Sequence, residues 1–266
     1  MKIYISADIE GITGITHWDE TEKSKSDYQK FAKQMTDEVK AACEGAINAG
    51  VKEIWIKDAH DTGRNIIAAE LPEMIKIVRG WSEHPYLMVQ ELDESFDALI
   101  MIGYHSFSSS SGNPLSHTLN PVSLNYIKLN GEFASEFLIY SYAAANLGVP
   151  LVLVSGDEEI CKEVNKINKY IKTIAVNKGM GNSVISIHPQ LAVKKIKTEV
   201  ESVLKGDINQ CKIKLPSRFK VELSFKSHIK AFKSSFYPGM KQLSSTSIVF
   251  ESDDYFEVLR MFLFVI

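Results

Sequence analysis

Two stretches, DALIMIGYH (97–105) and VPLVLVSGD (149–157), set the strongest limit on the fold. Each is a near-continuous apolar run that ends in polar residues. A strand of that kind has no side to offer to water, so it belongs in a parallel sheet covered by helices on both faces. The surrounding sequence supplies the rest of such a sheet. Residues 2–8 and VKEIWIKD (51–58) read as strands, as does the shorter IKIVRG (75–80). Between the first two, Phe31, Met35, Val39, Ala42 and Ala46 recur at spacings of three and four. That spacing makes one buried stripe of a helix over about 27–49, with Gly50 placed to end it.

Further strands are expected at 122–129 and 171–176, and helices at 132–147, 157–169 and 189–204. After about residue 205 the pattern changes to period-two alternation in KVELSFKS (220–227) and TSIVFES (246–252), followed by a helix from about Asp254. The expected fold class is therefore α/β, a mainly parallel helix-covered sheet with a smaller C-terminal α+β region. Residues 1–205 would form a metal-binding catalytic domain, and 206–266 would pack on it or serve in assembly.

The polar groups gather where such sheets bind ligands, outside the carboxyl ends of the strands. Asp8 and Glu10 follow the first strand, His60 the second and His105 the fourth. Side chains alternate along a strand, so Asp8 and Glu10 are expected to project to one face, where a buried pair of like charges calls for a cation between them. Glu136 joins from the second turn of the 132–147 helix, with Glu132 a rival on the same face. This mixed oxygen and nitrogen set suits Zn²⁺, Mn²⁺ or Co²⁺ better than Mg²⁺. Five ligands exceed a tetrahedral structural zinc and point to two metals sharing carboxylates.

Each residue also has a plainer reading: Asp8 as a turn cap, Glu10 as a solvated acid, the histidines as loop residues. Asp58 and Asp61 are either partners of the His60 imidazole or loop formers. The loop SFSSSSGNPLSHTLN (106–120) carries His117, a candidate proton donor or a histidine in solvent. NKGMGNS (177–183) contains GxG without opening a dinucleotide-binding unit, and SGD (155–157) has no partners for a serine triad.

The motifs SADIEG (6–11), KDAH (57–60), GYH (103–105), SH (116–117) and GEFASE (131–136), in this order, resemble the D-aminopeptidase family of zinc metallopeptidases. The resemblance runs on through VPLVLVSGD and PGMKQLSSTSIVF, so it spans nearly the whole chain. It implies metal ligands at Asp8, Glu10, His60, His105 and Glu136, with two Zn²⁺ per subunit, and a catalytic histidine at His117. It also implies release of N-terminal residues, D-amino acids favoured, from short peptides, and ring-like homo-oligomers, here a decamer. The segment ITGITHWDE, which borders substrate access, departs from the family pattern. The alternatives are a two-metal amidase or esterase on non-peptide substrates, and a peptidase without D-specificity. A metal-binding assembly protein is a third, and it leaves the His117 loop unexplained.

Composition adds the setting. A net charge of −3 gives no reason to expect nucleic acid or an anionic membrane as a partner. The three scattered cysteines suit a reducing cytoplasm, the expected location.

Overall fold

The computed structural model describes residues 1–266. Its main sheet contains β1 (Lys2–Ala7), β2 (Glu53–Asp58), β3 (Ile75–Val78) and β4 (Ala98–Tyr104). Later in the chain β7 (Leu151–Asp157), β8 (Lys172–Met180) and β9 (Ser183–Ser186) complete it. The order is β3-β2-β1-β4-β7-β8-β9, parallel throughout except for the β8–β9 hairpin at one edge. Register across the centre places Ile5 opposite both Ile56 and Ile100. Every residue of β4 and of β7 is buried, as the two apolar runs require.

Helices α1 (Tyr28–Asn48) and α4 (Pro189–Leu204) pack on each other and on the sheet. Helix α3 (Glu158–Ile167) lies along β7 and β8, and α2 (Glu136–Asn146) against β4 and β7. Truncating a core side chain such as Leu153 to alanine would cost about 2–5 kcal/mol.

The second sheet is antiparallel, β11-β12-β10-β5-β6. It comprises β5 (Leu124–Leu129), β6 (Glu132–Phe133), β10 (Phe219–Phe225), β11 (Lys241–Gln242) and β12 (Ser247–Ser252). Helices α5 (His228–Ser234) and α6 (Tyr255–Val265) pack on it, and α6 also touches α2. The strand expected at 122–129 thus leaves the parallel sheet and pairs with β10, Ile127 opposite Leu223. Its half-exposed alternation explains why: one side needs water, which the covered sheet cannot offer.

Residues 177–183 also differ from the expected loop. Strand β8 runs through them and turns back at Gly181, whose φ of 58° needs no Cβ. No helix is long and apolar enough to cross a membrane.

Candidate metal centre

The centre is built on a close crossing of two chain segments. Strand β1 stops at Ala7, so Asp8 and Glu10 lie in the turn beyond it and not on one strand face. That turn rests on the end of β4. Asp8 N donates to Ile102 O at 2.9 Å, and Gly11 N donates to Gly103 O at 2.8 Å. Gly103 has φ of 73°, and a Cβ there would stand 2.3 Å from Asp8 O. A Cβ on Gly11 would stand 1.9 Å from Tyr104 O. Only glycine at both positions lets the acidic turn settle directly beside His105.

Asp8 sits between two histidines, its Oδ1 3.4 Å from His60 Nδ1 and its Oδ2 3.6 Å from His105 Nε2. His60 Nδ1 is also 3.0 Å from Glu10 Oε2. His105 Nε2 lies 3.3 Å from Glu136 Oε2, and His117 Nε2 lies 3.7 Å from Glu136 Oε1. The imidazoles of His105 and His117 stack with centroids 4.3 Å apart. The six side chains therefore converge as two groups, Asp8 with Glu10 and His60, and His105 with His117 and Glu136. Within each group the candidate ligand atoms lie within 4.8 Å of one another.

Glu136 is the first residue of α2 rather than a member of its second turn. Glu132 and Phe133 form β6, and Ser135 Oγ caps the helix by accepting from Leu138 N at 3.1 Å. Glu132 is exposed on β6, away from the cluster, whereas Glu136 is buried in it.

A backbone carbonyl orients each histidine. His60 Nε2 is 3.0 Å from Thr21 O, His105 Nδ1 is 3.0 Å from Ser106 O, and His117 Nδ1 is 2.8 Å from Leu115 O. In each ring the nitrogen facing the carbonyl donates to it, which turns the other nitrogen toward the acids and makes it the one available to a metal when it is unprotonated. Asp58 does not touch the His60 ring. Its carboxylate accepts from the backbone of Asn65 and Ile66 and from the Asn65 amide, so it shapes the loop. Asp61 is exposed, with a left-handed φ of 41°. The 106–120 loop is anchored over the site: Asn113 Nδ2 donates to Glu10 O at 2.8 Å, and Thr118 Oγ1 to Ala134 O at 2.8 Å.

Burial and mutual charge set the protonation states. Burial, and then the charge of Glu10, push Asp8 well above the usual carboxylate range. Burial opposes ionisation of Glu10 too, but His60, and after it His117 and His105, hold it well below that range. Of the two neighbouring acids, Asp8 is thus the one that keeps a proton. Burial opposes a charge on His105, yet Glu136 and Asp8 raise it to about 10; Glu10 and Asp8 raise His60 in the same way. His117 moves down, through burial and through the neighbouring charge on His105.

The donor set fits a metal. Glu10 Oε2, His105 Nε2 and Glu136 Oε2 are all buried, and their near neighbours are other ligand-type atoms: Glu10 Oε2 faces His60 Nδ1, and His105 Nε2 faces Glu136 Oε2. Once the two histidines give up their protons these atoms confront one another as lone pairs, and a cation would match all of them. Asp8, Glu10, His60, His117 and Glu136 line a cavity of about 1450 Å³ together with Trp18, Trp81, Leu87 and Phe262, while His105 lies buried behind them. The residues that sequence reasoning did not single out are Thr21 and Leu119. They act through backbone groups, Leu119 N donating to Glu136 Oε1 at 2.7 Å, and a backbone group leaves no residue signature.

Comparison with known proteins identifies the family. The chain is 24% identical over 265 residues to the D-aminopeptidase of Bacillus subtilis (strain 168), covering 99% of this chain and 96% of that one. Its fold matches the structure of the zinc-dependent D-aminopeptidase DppA from Bacillus subtilis, described as a self-compartmentalizing protease, with a TM-score of 0.91 and 24% identity. That match covers all of this chain and 96% of the other. The family model for D-aminopeptidases extends over residues 1–264, from the first strand to the last helix, and this chain belongs to that family.

Proposed function

We propose that the chain is a zinc-dependent aminopeptidase that hydrolyses short peptides bearing a D-residue at the amino terminus. The observation that carries this reading is the pair of buried ligand groups gathered at one large cavity. Asp8, Glu10, His60, His105 and Glu136 would hold two zinc ions. Asp8 is the residue placed to serve both, because its two oxygens face different histidines. Bound zinc supplies Lewis acidity, which lowers the pKa of water and polarises a carbonyl.

The chain's own residues do the rest. His117 is neutral near pH 7 because its pKa is lowered, so its Nε2 can take the proton that the attacking water sheds. The imidazolium so formed can hydrogen-bond the developing oxyanion, and a neighbouring carboxylate can relay that same proton from His117 to the amine nitrogen as the C–N bond breaks. Asn113 and Thr118 hold the loop that presents His117. A cavity of about 1450 Å³ is larger than most small-molecule pockets and has room for a short peptide.

The assembly belongs to the same reading. The relative is described as self-compartmentalizing, and Ile229, Phe232, Phe236 and Phe264 expose apolar surface near α5 and α6. Both support a homo-oligomer, which we take to be a ring-like decamer that works in the cytoplasm, a setting that suits three free cysteines.

Zinc analysis of the purified protein, paired with hydrolysis of D-Ala and L-Ala amides, tests the reading. About two zinc ions per chain with D-selective release is the expected result. Two zinc ions with only ester cleavage would favour a two-metal esterase, and absence of zinc after reconstitution would overturn the mechanism.

A further inference from the structure

One short turn touches both halves of the centre. Residues Trp18–Glu20 form a single 3₁₀ turn between β1 and α1. Three residues cannot hold a helical turn by cooperativity, so side chains must fasten it. Glu20 does so: its carboxylate accepts from Thr16 N at 2.6 Å and from His17 N at 3.0 Å. His17 Nδ1 accepts in return from Asp19 N at 3.2 Å, which completes a capping box. Thr21 closes the turn, donating from N at 2.9 Å and from Oγ1 at 3.0 Å to Trp18 O.

The fastened turn makes two contacts beyond itself. The buried Thr21 carbonyl faces His60 Nε2 at 3.0 Å, which leaves His60 Nδ1 for Asp8 and Glu10. The Trp18 indole lies 5.3 Å from the His117 ring, centroid to centroid, tilted by 59°. His117 in turn stacks on His105. The two histidines that the turn touches belong to different ligand groups.

We propose that the Trp18–Thr21 turn is a positioning element for the hydrolytic reaction. Glu20 holds it shut, its Thr21 carbonyl sets the ring of His60, and Trp18 sets the ring of His117. The inference rests on the zinc peptidase reading above. Trp18 also lines the cavity, so its positioning role must be separated from simple contact with substrate.

The experiment compares the full-length parent with Glu20→Ala, Glu20→Gln, Trp18→Ala and Trp18→Phe, measuring zinc affinity by chelator competition and steady-state kinetics on a D-alanine amide. Glu20→Ala loosens the carbonyl that orients His60, and zinc affinity should fall roughly 10–100-fold, the range for partners of metal ligands. Glu20→Gln keeps an acceptor oxygen and should recover most of that affinity. Trp18→Ala should keep full zinc occupancy yet lose kcat by roughly tenfold with KM little changed, and Trp18→Phe should recover kcat.

A Trp18→Ala effect confined to KM would make Trp18 a wall of the pocket and overturn its positioning role. Unchanged zinc affinity in Glu20→Ala, with a parent that binds zinc and turns over, would overturn the role of the turn while leaving the functional reading intact. Should either alanine variant fail to fold, Glu20→Ser or Trp18→Leu takes its place, and parent-like zinc affinity in the first or parent-like kcat in the second overturns the corresponding role. A parent that binds no zinc overturns the functional reading and this inference together.

Discussion

Zinc and protons compete for the same nitrogen atoms in this centre, and the competition has a calculable size. Without metal, His60 and His105 are imidazolium ions held by buried carboxylates, with His105 raised to about 10. A ligand nitrogen must give up its proton, so binding at pH 7 includes a deprotonation about three pH units below the His105 value. At 1.36 kcal/mol per unit, that withholds about 4 kcal/mol from the apparent affinity through His105 alone. With one such histidine in each ligand group, the affinity of each site should rise about tenfold for each pH unit across roughly pH 6.5–8, and the product of the two about a hundredfold. The His105 share should level off above about 10.

Calorimetry in buffers of different ionisation enthalpy should count about two protons released per chain, or more where Asp8 still holds its own. The stability of the metal-free protein follows the same sign. The folded pKa of His105 lies above its unfolded value of about 6.5. Its contribution is therefore complete below that pH and is lost as pH rises through about 10. The metal-free protein should melt at a lower temperature at high pH, and the zinc-loaded protein should not follow it. Fewer than one proton released, or an affinity that stays flat over this range, would refute the reasoning.

Other substitutions separate the roles of individual residues. His117→Ala should keep both zinc ions by elemental analysis and lose turnover by about 10²-fold or more; loss of one zinc would make His117 a ligand, as its grouping with His105 and Glu136 allows. Asp8→Asn should deplete both zinc ions together, because Asp8 faces both histidines; full occupancy of one site in that variant would end the bridging assignment. Gly103→Ala forces a Cβ to within 2.3 Å of Asp8 O at a left-handed φ and should cost about 3 kcal/mol or more in denaturant titration. A melting curve like the parent's would show that the turn does not rest on β4 as described.

The buried strands and the first helix were readable because their patterns are global: β4 and β7 are apolar throughout, and the stripe on α1 repeats every three to four residues. The strand-end histidines His60 and His105 followed from the same reading. The arrangement of Asp8 and Glu10 did not, because strand alternation was invoked where a turn on Gly103 does the work. Strand β5 pairs in the antiparallel sheet and not the parallel one, in keeping with the exposed Asn125 and half-buried Lys128 that interrupt its apolar residues. A Ser-Glu helix start at 135–136 was available as a capping signal and would have placed Glu136 in the first turn. The Thr21 carbonyl had no such signal. Any residue can offer a carbonyl, and only the folded path aims it at His60.

The excursion through β5 and β6 also imposes an order in time. On a ribosome, Asp8, Glu10 and His60 emerge early, and Glu136 follows on the helix that β5 and β6 lead into. Yet β5 finds its partner β10 only when residues 219–225 have been made, several seconds later at about 5–20 residues per second. A metal ion that arrives during synthesis therefore meets half a cup, and the cup closes only when the late strand clamps the early one.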